Sequence, residues 1–471
     1  ASAPPRAPPE RRVHPPPDDT TETAPVNPMQ AKAGPHQDYT AADMALFAKV
    51  SRRLLPLLII CYVIAFLDRV NIGFAQLQMK QTLPFSDAAY AFGAGVFFIG
   101  YFLFEVPSNL ILERIGARKT LLRIMFCWGI VASAMMFVQT TTQFYILRFL
   151  LGAFEAGFFP GIILYLTYWY PSARRAKAIA TFMTGATIAY LIAGPVSGAI
   201  LKYMDGVLGH YGWQWLFVLQ GLPASILGIV AFFYLDDKPE QAHWLSTNEK
   251  ALLRSHIDHD AHVVASASHG SLLSLIKDPR VYSLSIAYFL ALGATYAMVF
   301  WTPTLIKGWG IPDLFVIGML SAVPAAVALV GMVLIGRSSD KHMERRWHYF
   351  LCVGFIAVGG LLAASMQGNV ALSLAGLAIL TIGQSGSTPI FFAACSEYLP
   401  KKTAAGGIAL ISSLGNLGPA VMPSVVAWLN SATGSPAYSL YLVIALWLGA
   451  GIIVLLVLRP AAAGKAALAS A

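Results

Sequence analysis

The sequence is poor in charged residues for its length. Asp, Glu, Lys and Arg make up only 12% of its 471 residues, whereas a soluble globular chain has about a quarter. Hydrophobic residues account for 57% of the chain, and its mean hydropathy is +0.63. A soluble core of this size cannot bury so much apolar surface, so the excess must face lipid. The composition therefore excludes a soluble globular protein and predicts a membrane protein.

The sequence also has few cysteines and lacks common catalytic motifs. Cys61, Cys127, Cys352 and Cys395 lie far apart within apolar segments, so we expect free buried thiols rather than disulfides. The phosphate-binding pattern G-x-x-x-x-G-K-[ST] is absent, and so are H-E-x-x-H and G-x-S-x-G. Because there is no sign of an ATP-driven pump, we expect neither a cofactor nor enzymatic activity.

One histidine-rich stretch could in principle bind a transition metal. The segment HIDHDAH contains His256, Asp258, His259, Asp260 and His262, which are residue types that coordinate zinc. No fourth ligand cluster follows it. We therefore expect a solvated surface there and no metal site.

The first 50 residues differ in composition from the rest of the chain. They are rich in Pro, Ala and charged residues, a composition that cannot form a packed core. No apolar segment precedes a cleavage site, so the stretch is not a secretory signal. We expect residues 1–50 to form a disordered cytoplasmic tail, and a start site near Met29 or Met44 remains an alternative.

Twelve apolar runs are each long enough to cross a bilayer as a helix, which takes about 20 residues. The runs are continuous rather than alternating, which favours helices over a closed barrel, the other structure that pairs its backbone within lipid. The predicted fold is an all-α polytopic membrane protein with twelve transmembrane helices in two pseudo-symmetric six-helix bundles. The predicted spans are Leu54–Gln76, Ala89–Leu112, Leu121–Thr140, Thr142–Tyr165, Ala178–Leu201, Trp215–Leu235, Val281–Thr304, Asp313–Ile335, Trp347–Met366, Val370–Ser396, Ala404–Leu429 and Tyr438–Leu458.

Loop charges predict the orientation of these spans. The net charge is +9, and the cations lie between apolar runs, so they indicate membrane orientation rather than nucleic-acid binding. With the N-terminus inside, the outer loops hold only Lys80, Lys202 and Lys307. The positive-inside rule therefore places both termini in the cytoplasm of a multi-pass inner (plasma) membrane protein. The 13 inner-loop cations are Arg114, Arg118, Lys119, Arg123, Arg174, Arg175, Lys177, Arg337, Lys341, Arg345, Arg346, Lys401 and Lys402.

An internal repeat predicts two related halves. The loop after span 2 has an acid at Glu113 and cations at Arg118 and Lys119, and the loop after span 8 repeats this spacing from Asp340. Such halves enclose a substrate site near the bilayer midplane and give alternating access to it. We expect bundles at residues 51–235 and 281–458, a cytoplasmic central loop at 236–280 and a cytoplasmic tail at 459–471.

Five ionisable residues fall inside the predicted spans: Asp68, Arg69, Glu105, Arg148 and Glu155. Such residues cost roughly 2.5 kcal/mol or more in lipid and usually mark a pathway. Arg69 and Arg148 lie about 8 and 9 Å below the outer edge of the bilayer core, counted from their span ends. They can converge on one substrate carboxylate with planar bidentate geometry. Glu155 follows Arg148 by two helical turns on the same face.

The acids beside these cations predict coupling to protons. A buried acid is easily protonated, and a neighbouring arginine favours its charged form. When a substrate anion takes over the arginine, the acid binds a proton more readily, and the two uptakes become linked. Alternatives remain open: Asp68 and Arg69 fix helix packing, Arg148 snorkels to the interface, Glu155 is a static counter-ion, and Glu105 serves gating or packing.

Polar residues elsewhere are further candidates. Tyr101, Asn416, Tyr296, Gln384 and Ser387 are expected to line the cavity, with helix–helix hydrogen bonding as the alternative. Counting helical rise puts Tyr101 about 16 Å from the outer edge of the bilayer core, near the two arginines. The repeated loops are expected to act in gating, through acids that engage cations or a helix N-terminus in one conformation only. Simple orientation by positive charge is the other interpretation of those loops. The gating candidates are Glu113, Arg114, Arg118, Asp340 and Arg345.

Several sequence motifs along the chain resemble those of a known protein family. FLDRVNIGFA, FEVPSNLILERIGARK, RFLLGAFEAGFFPG, YWYPSARRAKAIA, GWQWLFVLQGLPA and GIALISSLGNLGP occur in order along the chain. The sequence resembles the major facilitator superfamily and, within it, the anion:cation symporter family of bacterial tartrate, phthalate and sugar-acid permeases. The resemblance implies that Asp68 and Glu155 are proton-coupling acids and that Arg69 and Arg148 bind the anion. Two departures are Gln220, where the family commonly has Glu, and Pro419, where a second Gly is usual.

Together these features predict a monomeric proton-coupled symporter. It would import a small organic anion: a sugar acid, a hydroxy diacid such as tartrate, or an aromatic acid. Its partners would be the anion, protons and the lipid bilayer, without nucleic acid. The alternatives are a proton-coupled drug antiporter of the same fold and a membrane sensor that does not transport.

Overall fold

The computed structural model describes residues 39–267, 277–399, 404–435 and 437–458. Twelve helical segments in this part of the chain are long and apolar enough to cross a membrane, which confirms the predicted number of spans. A compact unit that begins at Leu46 contains spans 2 to 12 and all but the first five residues of span 1. Cys61, Cys352 and Cys395 are free and buried as predicted, whereas Cys127 is half-buried.

The first six spans are formed by seven helices, and the central segment adds an eighth. Spans 1 to 3 are single helices, span 4 is a broken pair, and spans 5 and 6 are single helices. The bounds are α1 (Ala41–Thr82), α2 (Asp87–Ile115), α3 (Ala117–Ala134), α4 (Thr141–Glu155), α5 (Phe158–Thr167), α6 (Ser172–Tyr203), α7 (Gly212–Tyr234) and α8 (Thr247–Ala267).

The last six spans are also formed by seven helices, because span 11, like span 4, consists of two helices. The bounds are α9 (Pro279–Gly308), α10 (Leu314–His342), α11 (Arg346–Ser365), α12 (Val370–Tyr398), α13 (Ala404–Gly415), α14 (Gly418–Thr433) and α15 (Ala437–Val457).

Most helices extend beyond the apolar runs that predicted them. For example, α1 begins at Ala41 rather than Leu54, because a helix continues into polar sequence once its apolar middle is anchored. Ala41–Val50 is therefore helical, and the prediction from composition that this stretch belongs to a disordered tail is wrong. Residues 1–38 of that predicted tail, the C-terminal tail from residue 459 and the loop cations Lys401 and Lys402 lie outside the described residues.

The break in span 4 has an identifiable backbone cause. α4 ends at Glu155, and Gly157 has a φ of +86° before α5 begins. This left-handed conformation is costly for any residue with a Cβ atom, and a Cβ at Gly157 would also press against the Ser108 side chain. Broken helices near the bilayer midplane are typical of substrate and ion sites in transporters.

The two halves pack against each other along two helix pairs, α2 with α14 and α6 with α10. Glycines permit the second of these contacts. Gly194 in α6 and Gly318 in α10 approach so closely that a Cβ on either residue would collide with the backbone carbonyl of the other. Small residues are the usual means of bringing membrane helices this close together.

Contacts between the halves are concentrated toward one end of the bundle. Tyr90 and Trp301 stack with their ring centroids 5.7 Å apart, and Lys202 forms an ion pair with Asp313. Among the described residues, hydrogen bonds, ion pairs and ring contacts between the halves lie between the level of Arg69 and the end that carries Lys202. This is the end that loop charges predict to be outside, so the bundle is closed there.

The central segment is attached to the first half and is partly helical. The Trp244 ring stacks on Trp169 at 5.7 Å, and Lys49 pairs with Glu249 of α8 at 2.8 Å. His256 of the HIDHDAH stretch lies on α8 with its ring 5.8 Å from that of Phe47. The side chains of the later residues in that stretch, from His259 to His262, lie outside the described residues.

Candidate functional site

Arg69 is the centre of the candidate site. It lies in α1, and its side chain is 16% exposed within the bundle. One terminal nitrogen forms an ion pair with Glu155 of α4. The other donates a hydrogen bond of 3.4 Å to the Tyr296 hydroxyl of α9, in the opposite half. Arg69 therefore connects the two halves at the level where their mutual contacts begin.

Aromatic rings surround the Arg69 guanidinium. The ring centroids of Phe66, Phe97 and Tyr101 lie 5.4, 5.6 and 5.3 Å from its central carbon. Each distance is within the range of a cation–π interaction, which is worth about 0.5–1 kcal/mol at an exposed site and more when desolvated. The structure thus places Tyr101 beside Arg69, as the depth argument predicted. The rings restrict the guanidinium and leave little of its surface open.

Glu155 is fully buried at the end of α4. Its Oε1 is paired with Arg69, but its Oε2 has no hydrogen-bond partner among the described residues. A buried unpaired carboxylate oxygen is costly. Since the helix breaks immediately after this residue, its position depends on the local backbone and on one ion pair. Glu155 therefore depends strongly on Arg69 for compensation of its charge.

Arg148 is fully buried and does not reach the cavity in this conformation. Its Nε and Nη2 donate long hydrogen bonds of 3.4 Å to the carbonyls of Gly93 and Ala94, and Nη1 has no partner in the described part of the chain. Its guanidinium carbon is 5.0 Å from the Phe97 ring centroid. Both predicted anion-binding arginines thus contact the same ring, but of the two only Arg69 is partly exposed.

Asp68 is also buried, with 1% of its surface exposed. Its Oδ2 accepts a hydrogen bond of 3.0 Å from Trp128 Nε1, and its Oδ1 accepts one of 3.2 Å from Asn71 Nδ2. Asp68 is also close enough to Arg148 for the two charges to interact electrostatically. α1 therefore carries a partly exposed cation and a buried acid at adjacent positions.

The remaining predicted site residues have weaker connections. Glu105 is half-buried and lies within electrostatic reach of Arg69. Gln384 is 8% exposed, and its side-chain Nε2 has no hydrogen-bond partner among the described residues. Its backbone carbonyl accepts a hydrogen bond of 2.8 Å from the Ser387 hydroxyl. Asn416 is half-buried in the break between α13 and α14, where the neighbouring Gly415 and Gly418 lie against α9.

Gln220, where the resembled family commonly has Glu, is 2% exposed in α7. Its Nε2 donates a hydrogen bond of 3.1 Å to the Ser197 hydroxyl of α6. The amide therefore serves here as a neutral link between two helices of the first half.

The repeated loops are organised differently in the two halves. In the second half, Arg345 bridges Asp340 at 2.6 Å and Glu397 at 3.0 Å. In the first half, Arg118 bonds the Phe232 carbonyl through its side chain at 2.9 Å and the Asp237 carboxylate through its backbone at 2.8 Å.

The acid and the adjacent cation of the first loop are both exposed. Glu113 and Arg114 have no hydrogen bond or ion pair with any described residue. In this conformation Asp340 is paired with Arg345, whereas Glu113 has no partner among the described residues, although the sequence spacing of the two loops is the same. Their predicted gating role stays a prediction.

Several residues of the site were not predicted. Asn71 could have been found, since it follows Asp68 by three residues and so lies on the same helical face. Trp128 is 60 residues away in sequence, and nothing in its own span marks it as a partner of Asp68. Phe66 and Phe97 were missed because aromatic residues are common throughout these spans.

The chain has close relatives among known proteins. The profile of the Major Facilitator Superfamily matches residues 58–405 and 313–470. An Agrobacterium vitis protein named as a tartrate transporter is 46% identical over 89% of this chain and 96% of its own. The metabolite transport protein NicT of Pseudomonas putida is 44% identical over 89% and 94%. A quinolone resistance transporter of Acinetobacter baumannii is 41% identical over 83% and 90%.

Solved structures share the same architecture. A bacterial homologue of the human lysosomal transporter Spinster, in an inward-facing and unoccupied conformation, superposes with a TM-score of 0.73. It is 17% identical, and the match covers 87% of this chain and 97% of that one. At this identity the likeness concerns the fold alone.

Proposed function

The chain belongs to the major facilitator superfamily, and we propose that it imports a small organic anion together with protons. It is a multi-pass membrane protein, and its relatives named as tartrate and metabolite transporters indicate transport of small organic anions. The observation that carries the proton coupling is the ion pair between the partly exposed Arg69 and the buried Glu155.

In the proposed mechanism, the substrate carboxylate and Glu155 compete for one guanidinium. Arg69 can offer planar bidentate hydrogen bonds to an incoming carboxylate. Within the described part of the chain, Glu155 has no other charged partner at hydrogen-bonding distance. A carboxylate that loses its counter-ion in a low-dielectric site is strongly destabilised unless it takes up a proton. Anion binding therefore favours protonation of Glu155, and by linkage protonation favours anion binding.

Asp68 and Arg148 form a second, sealed charge pair in this proposal. Both are buried, and the Phe97 ring contacts Arg148 as well as Arg69. When Arg69 pairs with the substrate carboxylate instead of Glu155, the Phe97 ring and the charged side chains of Arg148 and Asp68 must adjust their positions. Asp68 then serves as the second proton-coupling acid, and Arg148 joins Arg69 on the same substrate carboxylate in a conformation in which α2 and α4 have shifted.

The closed end of the bundle supports alternating access around this site. We propose that the end carrying Lys202 and Asp313 faces the outside and that both termini lie in the cytoplasm, in agreement with the loop charges. The conformation is then closed to the outside. Residues 51–235 and 281–458 would move as two bundles within one monomer, with the repeated loops joining them when the cytoplasmic side closes.

Uptake by reconstituted vesicles tests the proposal. Vesicles loaded at pH 7.5 and diluted to pH 6.0 should accumulate L-tartrate or another carboxylate of a test panel above its external concentration. Glu155→Gln should retain exchange of labelled for unlabelled anion but lose accumulation driven by the pH gradient, because the glutamine amide cannot take up and release a proton. Asn430→Gln, at the far end of span 11, provides a control for general damage.

Three results would contradict this function. If Glu155→Gln accumulated the anion as well as the natural protein, that residue would not couple the proton. If an inward pH gradient instead drove drug release from the vesicles, the antiporter alternative would be favoured, in line with the relative named for quinolone resistance. Ligand binding without flux of any compound in either direction would favour the sensor alternative.

A further inference from the structure

We propose that the transported anion is an aromatic monocarboxylate, an inference that rests on the proposed function of the same site. Its carboxylate would pair with Arg69. Its ring would lie among Phe66, Tyr190 and Tyr288, which belong to α1, α6 and α9. Three independent features of the site support this choice over a hydroxy diacid or a sugar acid.

The first feature is the small amount of accessible positive charge. Arg148 is fully buried, so among the arginines and lysines described inside the bundle Arg69 is the one placed to meet a ligand. Glu105 lies within electrostatic reach of Arg69 and adds negative charge beside it. A dianion would leave its second carboxylate without a counter-ion in a low-dielectric site, which is costly. The charge distribution therefore fits one carboxylate.

The second feature is the set of rings beside that cation. Phe66 is half-buried, and its ring lies 5.4 Å from that of Tyr190 and 5.0 Å from that of Tyr62, in edge contacts. In the other half, Tyr288 stacks on Phe391 at 5.3 Å with an interplanar angle of 12°. A flat ring attached to the carboxylate could make offset or edge contacts with these side chains. The saturated chain of a sugar acid would gain less from them.

The third feature is a group of tyrosine hydroxyls that have no partner. Four tyrosine hydroxyls make no hydrogen bond to any described residue, and each of their oxygen atoms has some exposed surface. They belong to Tyr62, Tyr101, Tyr190 and Tyr288. Tyr62 and Tyr190 of the first half and Tyr288 of the second lie within electrostatic reach of one another. Such amphipathic rings suit a ligand that is apolar at its faces and carries one or two polar atoms at its edge.

A matched pair of acids tests the proposal. Benzoate and cyclohexanecarboxylate have similar size and one carboxylate each, but only benzoate is flat and aromatic. Thermal stabilisation of the purified protein would give the dissociation constants. We expect benzoate to bind about 2- to 12-fold more tightly, the range for one good aromatic contact. Binding is measured rather than uptake, because neutral benzoic acid crosses vesicle membranes unaided.

Single substitutions test which side chains of the site cause the preference for benzoate over cyclohexanecarboxylate. Phe66→Leu should remove the advantage of benzoate and leave the affinity for cyclohexanecarboxylate nearly unchanged. Phe233→Leu is the matched control, since Phe233 is 76% exposed. If Phe66→Leu proves too unstable, Tyr190→Phe provides a second test, because it keeps the ring and removes the hydroxyl. It should lower the affinity for 4-hydroxybenzoate more than that for benzoate.

The proposal would be overturned if the two acids of the pair bound equally well. It would also be overturned if L-tartrate or D-gluconate bound more tightly than benzoate. Either result leaves the symporter intact as long as a pH gradient still drives carboxylate accumulation. Loss of gradient-driven accumulation for every carboxylate would instead contradict the transport function itself.

Discussion

The contact between Gly194 and Gly318 predicts how a single methyl group changes the conformational equilibrium. A Cβ atom on Gly194 would collide with the Gly318 carbonyl, which is backbone and cannot rotate away. Overpacking of this kind costs about 1–3 kcal/mol. If the alternative conformation separates these helices, that cost applies to the closed state alone. Gly194→Ala should then reduce the ratio of outside-closed to outside-open molecules by about 5- to 150-fold.

Distances between spin labels across the outer end would measure this shift. Labels at Leu208→Cys and Gly368→Cys, in a background without the four native cysteines, report on loops of the two halves. Leu208 is 81% exposed, and Gly368 has open space where a side chain would be built. Gly194→Ala should move a large fraction of the distance distribution to longer values.

Gly354→Ala is the matched control for this experiment. Gly354 lies within α11, and a Cβ there would meet no atom within 4 Å. A change from Gly to Ala inside a helix is otherwise favourable by about 1 kcal/mol, so the control should leave the distances unchanged. If Gly194→Ala gave the distance distribution and the uptake rate of the natural protein, close packing of α6 on α10 would not control the outer closure.

Two further predictions concern a buried acid and the outer ion pair. Trp128→Phe removes the indole donor to Asp68, so it should lower the stability of the protein by about 1.5–3 kcal/mol if that carboxylate is ionised; an unchanged thermal midpoint in detergent would contradict this. The hydrogen bond from Lys202 lowers the pKa of Asp313. Since a lowered pKa keeps the carboxylate charged to more acidic pH, the spin-label distances should be constant from pH 7.5 to 5.0 and should lengthen in Asp313→Asn at both values.

Much of the fold could be predicted because the bilayer imposes it. Backbone groups must pair within each span in lipid, so a continuous apolar run of sufficient length predicts a helix directly. The twelve spans follow from this rule. The breaks in spans 4 and 11 were not predicted, because hydropathy continues across them without change and only the φ of Gly157 shows where α4 ends.

The candidate site was predicted in part. Charged residues inside apolar spans are rare enough to be recognised, so Arg69, Glu155 and Asp68 were identified from their positions alone. Tyr101 was placed beside Arg69 by counting helical rise. The count gave Arg148 a similar depth, but depth says nothing about whether a side chain reaches the cavity or is sealed behind a ring such as Phe97.

The sequence by itself determined that this protein crosses the membrane twelve times, that its halves are related and which charges lie in the membrane. Each of these follows from hydropathy, loop charge or spacing along the chain, and none requires knowledge of which helices touch. Only the tertiary structure decided that Arg69 pairs with Glu155 while Asp68 bonds Trp128. The orientation of a side chain around a helix axis is set by the neighbouring helix, and that neighbour is far away in the sequence.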